Sequence, residues 1–288
     1  MRELREATRQ TGRRKAERSP VSLRCVYTDL DGTLLGAGAS LFADHDGAFS
    51  MMQAKALQAC ERAGVEVVIM SGRRRVQVHE DSRLIGQTSF IFEAGSAFSI
   101  DGETFMATGD FVHDEGLTLV EQVSARGVPE LLLEHFNGRF EYHEPWHLDR
   151  EMSHLFRGEV DTAEANALLE ENGHDDLRLL DNGAIRRQMP GIEVTHVYHL
   201  VAKGASKANA VAAHSLARGY AREETIAVGD SLEDLESAHS VGRFFMVANG
   251  PERDGGVKAA LPDFANATVT EGRSGDGFHE AVITSLMT

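Results

Sequence analysis

Short apolar runs alternate with amphipathic stretches in the first third of the chain. The runs at 23–30, 65–70 and 89–95 are rich in β-branched and aromatic residues, which predicts buried strands. Apolar residues recur at helical spacing over 49–63 and 74–84, between these runs. Such alternation of strand and helix predicts a parallel sheet covered by helices.

The pattern changes between about residue 100 and residue 190. An Asp-Gly pair at 101–102 indicates a hairpin turn, and helical stretches follow at 116–136 and 162–172. These helices interrupt short candidate strands, which predicts a separate α+β unit inserted into the chain. The candidate strands are FEYH, SHLFRGEV, LRLLD and AIRRQM, at 140–143, 153–160, 177–181 and 184–189.

Strand-helix alternation resumes in the last third, beginning with the strand-like run EVTHVYHLV. The fold class predicted is therefore α/β, with a parallel-sheet core built from residues 21–98 and 190–288. Residues 99–189 form the predicted insertion. Residues 1–20 lack apolar periodicity and are predicted to be a disordered basic tail, with a nucleic-acid or partner arm as the less favoured alternative.

Composition and charge narrow the function classes. The formal net charge of −16 disfavours binding to nucleic acid and to anionic membrane surfaces. No apolar run approaches the roughly 20 residues that span a bilayer, and the N-terminal stretch lacks a secretory signal. We therefore expect a soluble, cytoplasmic protein. Cys25 and Cys60 lie in apolar settings, which indicates ordinary burial rather than a disulfide.

Polar side chains follow the predicted strands at their carboxyl ends. Asp29 and Asp31 lie at the end of the first strand, Ser71 at the end of the second, and Asp230 at the end of the run TIAVG. The carboxyl ends of parallel strands form the usual ligand crevice of such a sheet. Adjacent carboxylates repel unless a cation intervenes, and Mg²⁺ couples carboxylates to a phosphate. A carboxylate can attack phosphorus if cationic groups offset the charge, and Lys207 is a candidate for that task.

Each of these residues also has a structural interpretation. Asp-Gly pairs are common turns, and Ser71 with Gly72 could cap the following helix. Asp230 and Asp234 could cap and charge another helix start. Lys203 competes with Lys207 for the phosphate role, but it is predicted to end a strand in solvent. The order of these residues and their placement at strand ends favour the functional interpretation.

Four segments in this order resemble the motifs of the haloacid dehalogenase superfamily of phosphatases. The resemblance covers about 21–98 and 190–288. It implies a Rossmann-like core, a magnesium cofactor, and an inserted C2-type cap that selects the substrate. The segments are DLDGT, VVIMSGR, GASKANA and AVGDSLED.

Residue roles follow from the resemblance. Asp29 would be the nucleophile, and Asp31 would protonate the leaving oxygen and then activate water. Asp29, the backbone oxygen of Asp31, and Asp230 would hold Mg²⁺. In the family's dehalogenases the second acidic position is not Asp, so Asp31 favours phosphate chemistry.

The resemblance also implies a phosphate site and its supports. Ser71, Gly72 and Lys207 would bind the transferring phosphoryl group. Asp234 would orient Lys207 or a metal-bound water, and the Thr33 hydroxyl would hold the bend after the first motif.

The insertion resembles the caps of Cof-like sugar phosphatases and of sucrose-phosphate and mannosyl-phosphoglycerate phosphatases. Ala94 departs from this subgroup, because many members carry Asn there. Trp146 is expected to pack against a sugar face. One or two of the arginines Arg139, Arg150 and Arg157 are expected to contact an anionic group of the substrate. Alternatively, these side chains fill the cap core or face solvent. The nearby histidines lack the paired spacing of a zinc site.

The leading hypothesis is a magnesium-dependent phosphatase acting on a small phosphorylated metabolite, either a sugar phosphate or a glycosyl phosphate derivative. A sugar phosphomutase of the same superfamily is the second hypothesis. A non-catalytic binding or regulatory module that retains the fold is the third.

Overall fold

A computed structural model describes residues 22–185 and 187–288. The predicted basic tail, residues 1–20, lies outside the described residues. No helix within the described ranges is long and apolar enough to cross a membrane.

The strands are β1 (Cys25–Asp29), β2 (Glu66–Met70), β3 (Phe90–Phe92), β4 (Ala97–Ile100), β5 (Glu103–Met106), β6 (Phe140–Tyr142), β7 (His154–Gly158), β8 (Leu177–Ala184), β9 (His196–Ala202), β10 (Thr225–Gly229), β11 (Arg243–Met246) and β12 (Ala267–Val269). The α-helices are α1 (Met52–Ala63), α2 (Arg75–Leu84), α3 (Leu119–Ala125), α4 (Val128–His135), α5 (Thr162–Glu171), α6 (Lys207–Arg218), α7 (Leu232–Leu235), α8 (Asn249–Arg253), α9 (Gly255–Ala260) and α10 (Ser274–Leu286).

The larger sheet has eight strands in the order β12-β11-β10-β1-β2-β3-β4-β5. Neighbouring strands run parallel from β12 to β3, and the hairpin of β4 and β5 continues the sheet antiparallel. Strand β1 lies near the centre, and all five of its residues are buried. Such burial on both faces is typical of a parallel sheet between helices, and it confirms the predicted α/β class.

Side-chain alternation along β1 connects the sheet to a helical layer on each face. Val26 packs with α1 and α10 residues such as Ala56 and Phe278. Tyr27 points to the other face, where it packs with residues of α6 and α7. Its hydroxyl contacts His214 Nδ1 at 2.9 Å and Ser215 Oγ at 2.7 Å, so this buried polar group is paired.

The smaller sheet has four antiparallel strands in the order β6-β7-β9-β8. Tyr198 and Leu200 of β9 belong to the same buried cluster as Phe156 of β7 and residues of α3, α4 and α5. The predicted α+β character of the middle third therefore agrees with the strands and helices that form there.

The predicted boundaries at residues 99 and 190 do not coincide with the two sheets. Strand β5 belongs to the larger sheet, and β9 belongs to the smaller one. The run at 184–189 was expected to be a strand, but β8 ends at Ala184, and residues 185 and 187–189 are not in a strand. An alternating run such as β9 fits either sheet, and only long-range pairing with β7 and β8 decides its place.

The Tyr198 hydroxyl provides a test of the position of β9. It accepts the Val160 N–H at 3.0 Å and donates to the Val160 carbonyl at 3.1 Å. Tyr198→Phe leaves both buried groups unpaired, so we expect a loss of about 1–3 kcal/mol in the free energy of unfolding. Urea unfolding followed by circular dichroism measures it.

Tyr142→Phe is the matched control, because Tyr142 is half-buried and its hydroxyl makes no hydrogen bond to the residues described. We expect a change within about 0.5 kcal/mol for this variant. Equal stabilities for the two variants would contradict the packing of β9 described above.

Candidate active site

The carboxyl ends of three adjacent parallel strands place the acidic residues together. Asp29 ends β1, Asp230 follows β10, and Ser71 follows β2, in a sheet where β1 lies between the other two. Lys207 begins α6, whose N-terminus is capped by the Ser206 hydroxyl. All four predicted functional side chains are buried within one site.

Lys207 bridges two carboxylates. Its Nζ lies 2.7 Å from Asp29 Oδ1 and 2.7 Å from Asp234 Oδ1. The second Asp234 oxygen accepts the backbone N–H groups of Asp230 and Ser231, each at 3.1 Å, and the Ser231 hydroxyl at 2.7 Å. These bonds fix Asp234, and Asp234 in turn fixes the ammonium beside Asp29, which agrees with the orienting role expected for Asp234.

Lys203 lies away from this site. Its side chain is 57% exposed and pairs with Glu170 at 3.1 Å on the surface. An exposed pair of this kind contributes little to stability or function. Of the two candidate lysines, the structure therefore places Lys207 in the site and Lys203 on the surface.

Burial and mutual repulsion shift the acidity of the carboxyl groups. Burial, with the charges of Asp234 and Asp230, raises the pKa of Asp29 to about 8, although Lys207 opposes the shift. Burial and Asp234 raise the pKa of Asp230 to about 6, against the effect of Arg253. Burial would lower the pKa of Lys207, but its two carboxylate partners raise it above the usual value, so the ammonium stays charged.

The loop after β1 brings an exposed carboxylate to the mouth of the site. Asp31 accepts two hydrogen bonds from the Arg73 guanidinium, at 2.9 and 2.6 Å. Gly32 has φ +91, and a Cβ there would lie 2.7 Å from Asp230 Oδ2, so the tight approach requires glycine. Thr33 is fully buried, and its Oγ1 has no hydrogen-bond partner among the described residues. The structure therefore gives no hydrogen bond for the supporting role expected of Thr33.

The loop after β2 also lines the site. The Ser71 hydroxyl accepts the Arg73 N–H at 3.2 Å. A Cβ on Gly72 would lie 2.9 Å from His199 Nε2 and 3.3 Å from Asn182 Nδ2. The absence of a side chain at Gly72 therefore lets the smaller sheet approach this loop closely.

A cavity of about 510 Å³ lies between these loops and the smaller sheet. Two predicted substrate residues, Trp146 and Arg150, line it. Arg139 and Arg157 do not, which corrects their assignment as substrate residues. Arg139 lies over the Phe136 ring, with 5.6 Å from the guanidinium carbon to the ring centre, and Arg157 is ion-paired with its cross-strand neighbour Glu141.

Several residues that line the cavity were missed in the sequence. Arg73 is the last residue of the second motif, VVIMSGR, so its place in that motif was a usable signal. His199 was hidden because β9 was assigned to the other sheet. Other missed residues lining the cavity are Asn182 and Arg253.

The carboxylate oxygens of Asp29, Asp230 and Asp234 lie within 4.8 Å of one another. Oxygen donors in this number suit a hard divalent cation. The site therefore combines an acidic cluster that could bind a metal, a fixed ammonium and a cavity that opens to solvent.

Known proteins with similar sequences are phosphatases. A phosphoglycolate phosphatase of Methanoculleus marisnigri is 28% identical over 270 residues, covering 90% of this chain and 95% of that protein. Another, of Methanospirillum hungatei, is 26% identical over 234 residues, covering 80% and 86%.

Solved structures share the fold. Sucrose-phosphatase of Synechocystis, in complex with sucrose and phosphate, has a TM-score of 0.60 at 14% identity, covering 92% of this chain and 98% of that one. A Thermoplasma acidophilum protein has a TM-score of 0.62 at 18% identity, covering 93% and 100%.

The family of haloacid dehalogenase-like hydrolases matches residues 26–180 and 190–262. This match and the phosphatase relatives favour an enzyme over a non-catalytic module. The chain belongs to the haloacid dehalogenase-like hydrolases, and it is a Cof-like phosphatase that acts on a phosphorylated substrate.

Proposed function

We propose that the chain is a magnesium-dependent phosphatase that forms an aspartyl phosphate on Asp29. The observation that carries the proposal is the pairing of buried Asp29 with Lys207 on the floor of the cavity. A buried carboxylate beside a fixed ammonium offers a nucleophile and charge compensation at one point, which is what phosphoryl transfer requires.

The donor set fits Mg²⁺. Asp29 and Asp230 would hold the ion with the backbone oxygen of Asp31, as in the predicted assignment. Their pKa values are raised by burial and by neighbouring carboxylates, so the cluster gains stability from a cation. When bound, Mg²⁺ offsets negative charge on the phosphoryl oxygens and on the attacking carboxylate.

The residues of the chain divide the chemistry between them. An Asp29 oxygen attacks phosphorus, and the bond from phosphorus to the leaving oxygen breaks while Asp31 protonates that oxygen. Ionised Asp31 then takes a proton from water as the water attacks the aspartyl phosphate, which releases inorganic phosphate and restores Asp29. Lys207 and Ser71 bind the phosphoryl oxygens throughout, and Arg73 holds Asp31 at the mouth.

The substrate is a small phosphorylated metabolite. Trp146 lines the cavity and stays partly exposed, although its ring stacks on His143, with 4.8 Å between ring centres; an aromatic side chain at the cavity supports a sugar phosphate or a glycosyl phosphate derivative. The relatives named phosphoglycolate phosphatase support a smaller phosphorylated acid. Hexose phosphates and 2-phosphoglycolate are therefore the first substrates to compare.

Phosphate release from these compounds tests the proposal. We expect release that depends on Mg²⁺, stops with EDTA and falls by at least about a thousandfold in Asp29→Asn, because the nucleophile is lost. Unchanged release by Asp29→Asn would contradict it. Interconversion of hexose 1- and 6-phosphates without phosphate release would instead support the phosphomutase hypothesis.

Lysine substitutions distinguish the two candidate cations. Lys207→Ala is expected to lower kcat by about a hundredfold or more, since a fixed charge on the phosphoryl group is lost. Lys203→Ala, the control, removes an exposed pair and is expected to stay within about twofold of the unmodified enzyme. Circular dichroism checks that both variants fold. A large loss with Lys203→Ala alone would reverse the assignment.

Stability of the metal-free protein tests the charge on Asp29. Its folded pKa is raised from about 3.9 to about 8, so the folded state binds the proton more tightly. The resulting stabilisation is complete below about pH 4 and is lost as pH rises through about 8. At about pH 9 in EDTA, we expect Asp29→Asn to be more stable than the unmodified protein by about 1 kcal/mol or more.

Denaturant unfolding at several pH values measures this difference. Asp31→Asn is the control, because the Asp31 side chain is 53% exposed. Addition of Mg²⁺ at high pH is expected to stabilise the unmodified protein more than Asp29→Asn. Identical pH profiles for Asp29→Asn and the unmodified protein would contradict the account.

A further inference from the structure

His199 is a cavity residue with no role in the proposed chemistry so far. Side chains alternate along β9, so His199 and Val197 face the cavity while Tyr198 and Leu200 face the buried cluster of the smaller sheet. Leu155, opposite His199 on β7, also lines the cavity. The ring is 1% exposed, so it lies in an enclosed wall of the site.

The ring is electrically neutral. Burial holds the pKa of His199 well below its usual value, and the nearby charges of Arg150 and Lys207 lower it further. A neutral imidazole carries one proton, on either Nδ1 or Nε2, and the other nitrogen accepts.

Neighbours of Nδ1 decide which nitrogen carries the proton. Ser153 Oγ lies 3.2 Å from Nδ1, but it accepts from Arg150 Nε at 3.2 Å and Nη2 at 3.0 Å. The hydroxyl has a carboxylate acceptor, Glu93 Oε2, at 2.9 Å. The single Nε proton is shared between Ser153 Oγ and the Ser153 carbonyl, which lies 3.1 Å away. Arg150 Nη2, always a donor, faces Nδ1 at 3.4 Å, and this contact favours Nδ1 as the acceptor and Nε2 as the nitrogen that carries the proton.

The Nε2–H group lies where the smaller sheet meets the loop after β2, which carries Ser71 and Gly72 and is called the phosphate loop below. A Cβ on Gly72 would lie 2.9 Å from Nε2, so this nitrogen is directed at the loop that follows Ser71. Nε2 has no hydrogen-bond partner among residues 22–185 and 187–288. A donor without a protein partner at this border can meet an oxygen of the bound substrate.

We propose that His199, fixed as the Nε2–H tautomer by Arg150 and Ser153, donates a hydrogen bond to an oxygen of the leaving group beside the transferring phosphoryl. The inference rests on the proposed function, because it places a phosphomonoester over Asp29. It makes His199 a specificity residue for leaving groups that carry a carboxylate or hydroxyl acceptor close to the phosphate.

Two substitutions separate this role from a structural one. In His199→Gln the side-chain amide N–H occupies approximately the place of Nε2, whereas in His199→Asn the amide lies near Nδ1 and no donor reaches the substrate. We expect His199→Asn to lower kcat/KM for 2-phosphoglycolate by about tenfold or more, the size of one lost hydrogen bond, and His199→Gln to lose less.

Ethyl phosphate is the matched substrate, because it has two carbons but no acceptor on the leaving group. The expected loss in His199→Asn with ethyl phosphate is less than about twofold. Equal losses with both substrates, or a smaller loss for Asn than for Gln, would indicate a structural role and overturn the proposal.

Nitrogen-15 NMR of the histidine ring gives a readout that does not need turnover. In Asp29→Asn with Mg²⁺, we expect a His199 Nε2–H signal that shifts on addition of 2-phosphoglycolate and not of ethyl phosphate. A proton on Nδ1, or no shift with 2-phosphoglycolate, would overturn the proposal. Absence of phosphate release by the unmodified enzyme would instead contradict the proposed function, independently of the NMR result.

Discussion

The ammonium of Lys207 lies between the carboxylates of Asp29 and Asp234, and the arrangement of the catalytic edge depends on these two contacts. Three buried carboxylates in one place are costly, because desolvation and mutual repulsion disfavour the charged forms. Lys207 offsets part of that cost, and Ser231 and backbone N–H groups satisfy Asp234. The negative charge that remains favours the binding of a divalent cation. Such a cation would make the site suitable for phosphate transfer.

A buried polar junction connects the smaller sheet's region to the phosphate loop. Arg150 donates to the Gly72 carbonyl at 2.7 Å and lies 3.6 Å from the Glu93 carboxylate. Glu93 also accepts the N–H groups of Glu151 and Met152, at 3.0 and 2.9 Å. Because an ion pair left without one partner is costly in the interior, this junction holds the wall carrying His199 close to Gly72.

Local pattern and chain order were sufficient to predict from sequence which residues of the core sheet lie together. Asp29, Ser71 and Asp230 each follow a buried strand, and parallel strands bring their carboxyl ends to one edge whatever the rest of the chain does. Predicting which residues of the cap face the cavity required knowledge of strand pairing between distant parts of the chain. Arg157 resembled a substrate residue, but Glu141 on the neighbouring strand binds its guanidinium. Ala94 stands where the subgroup resemblance implied Asn, and it has φ +57, a conformation that Asn adopts more readily.

Direct detection of a phosphorylated Asp29 tests the central claim most directly. The enzyme is mixed with substrate and Mg²⁺, quenched in acid, and treated with borohydride, which reduces an aspartyl phosphate to homoserine. Peptide mass spectrometry then locates the modified residue. The account predicts homoserine at position 29, formed only when substrate and Mg²⁺ are both present. Phosphate release without modification of Asp29, or a phosphorylated residue elsewhere such as Ser71, would contradict it.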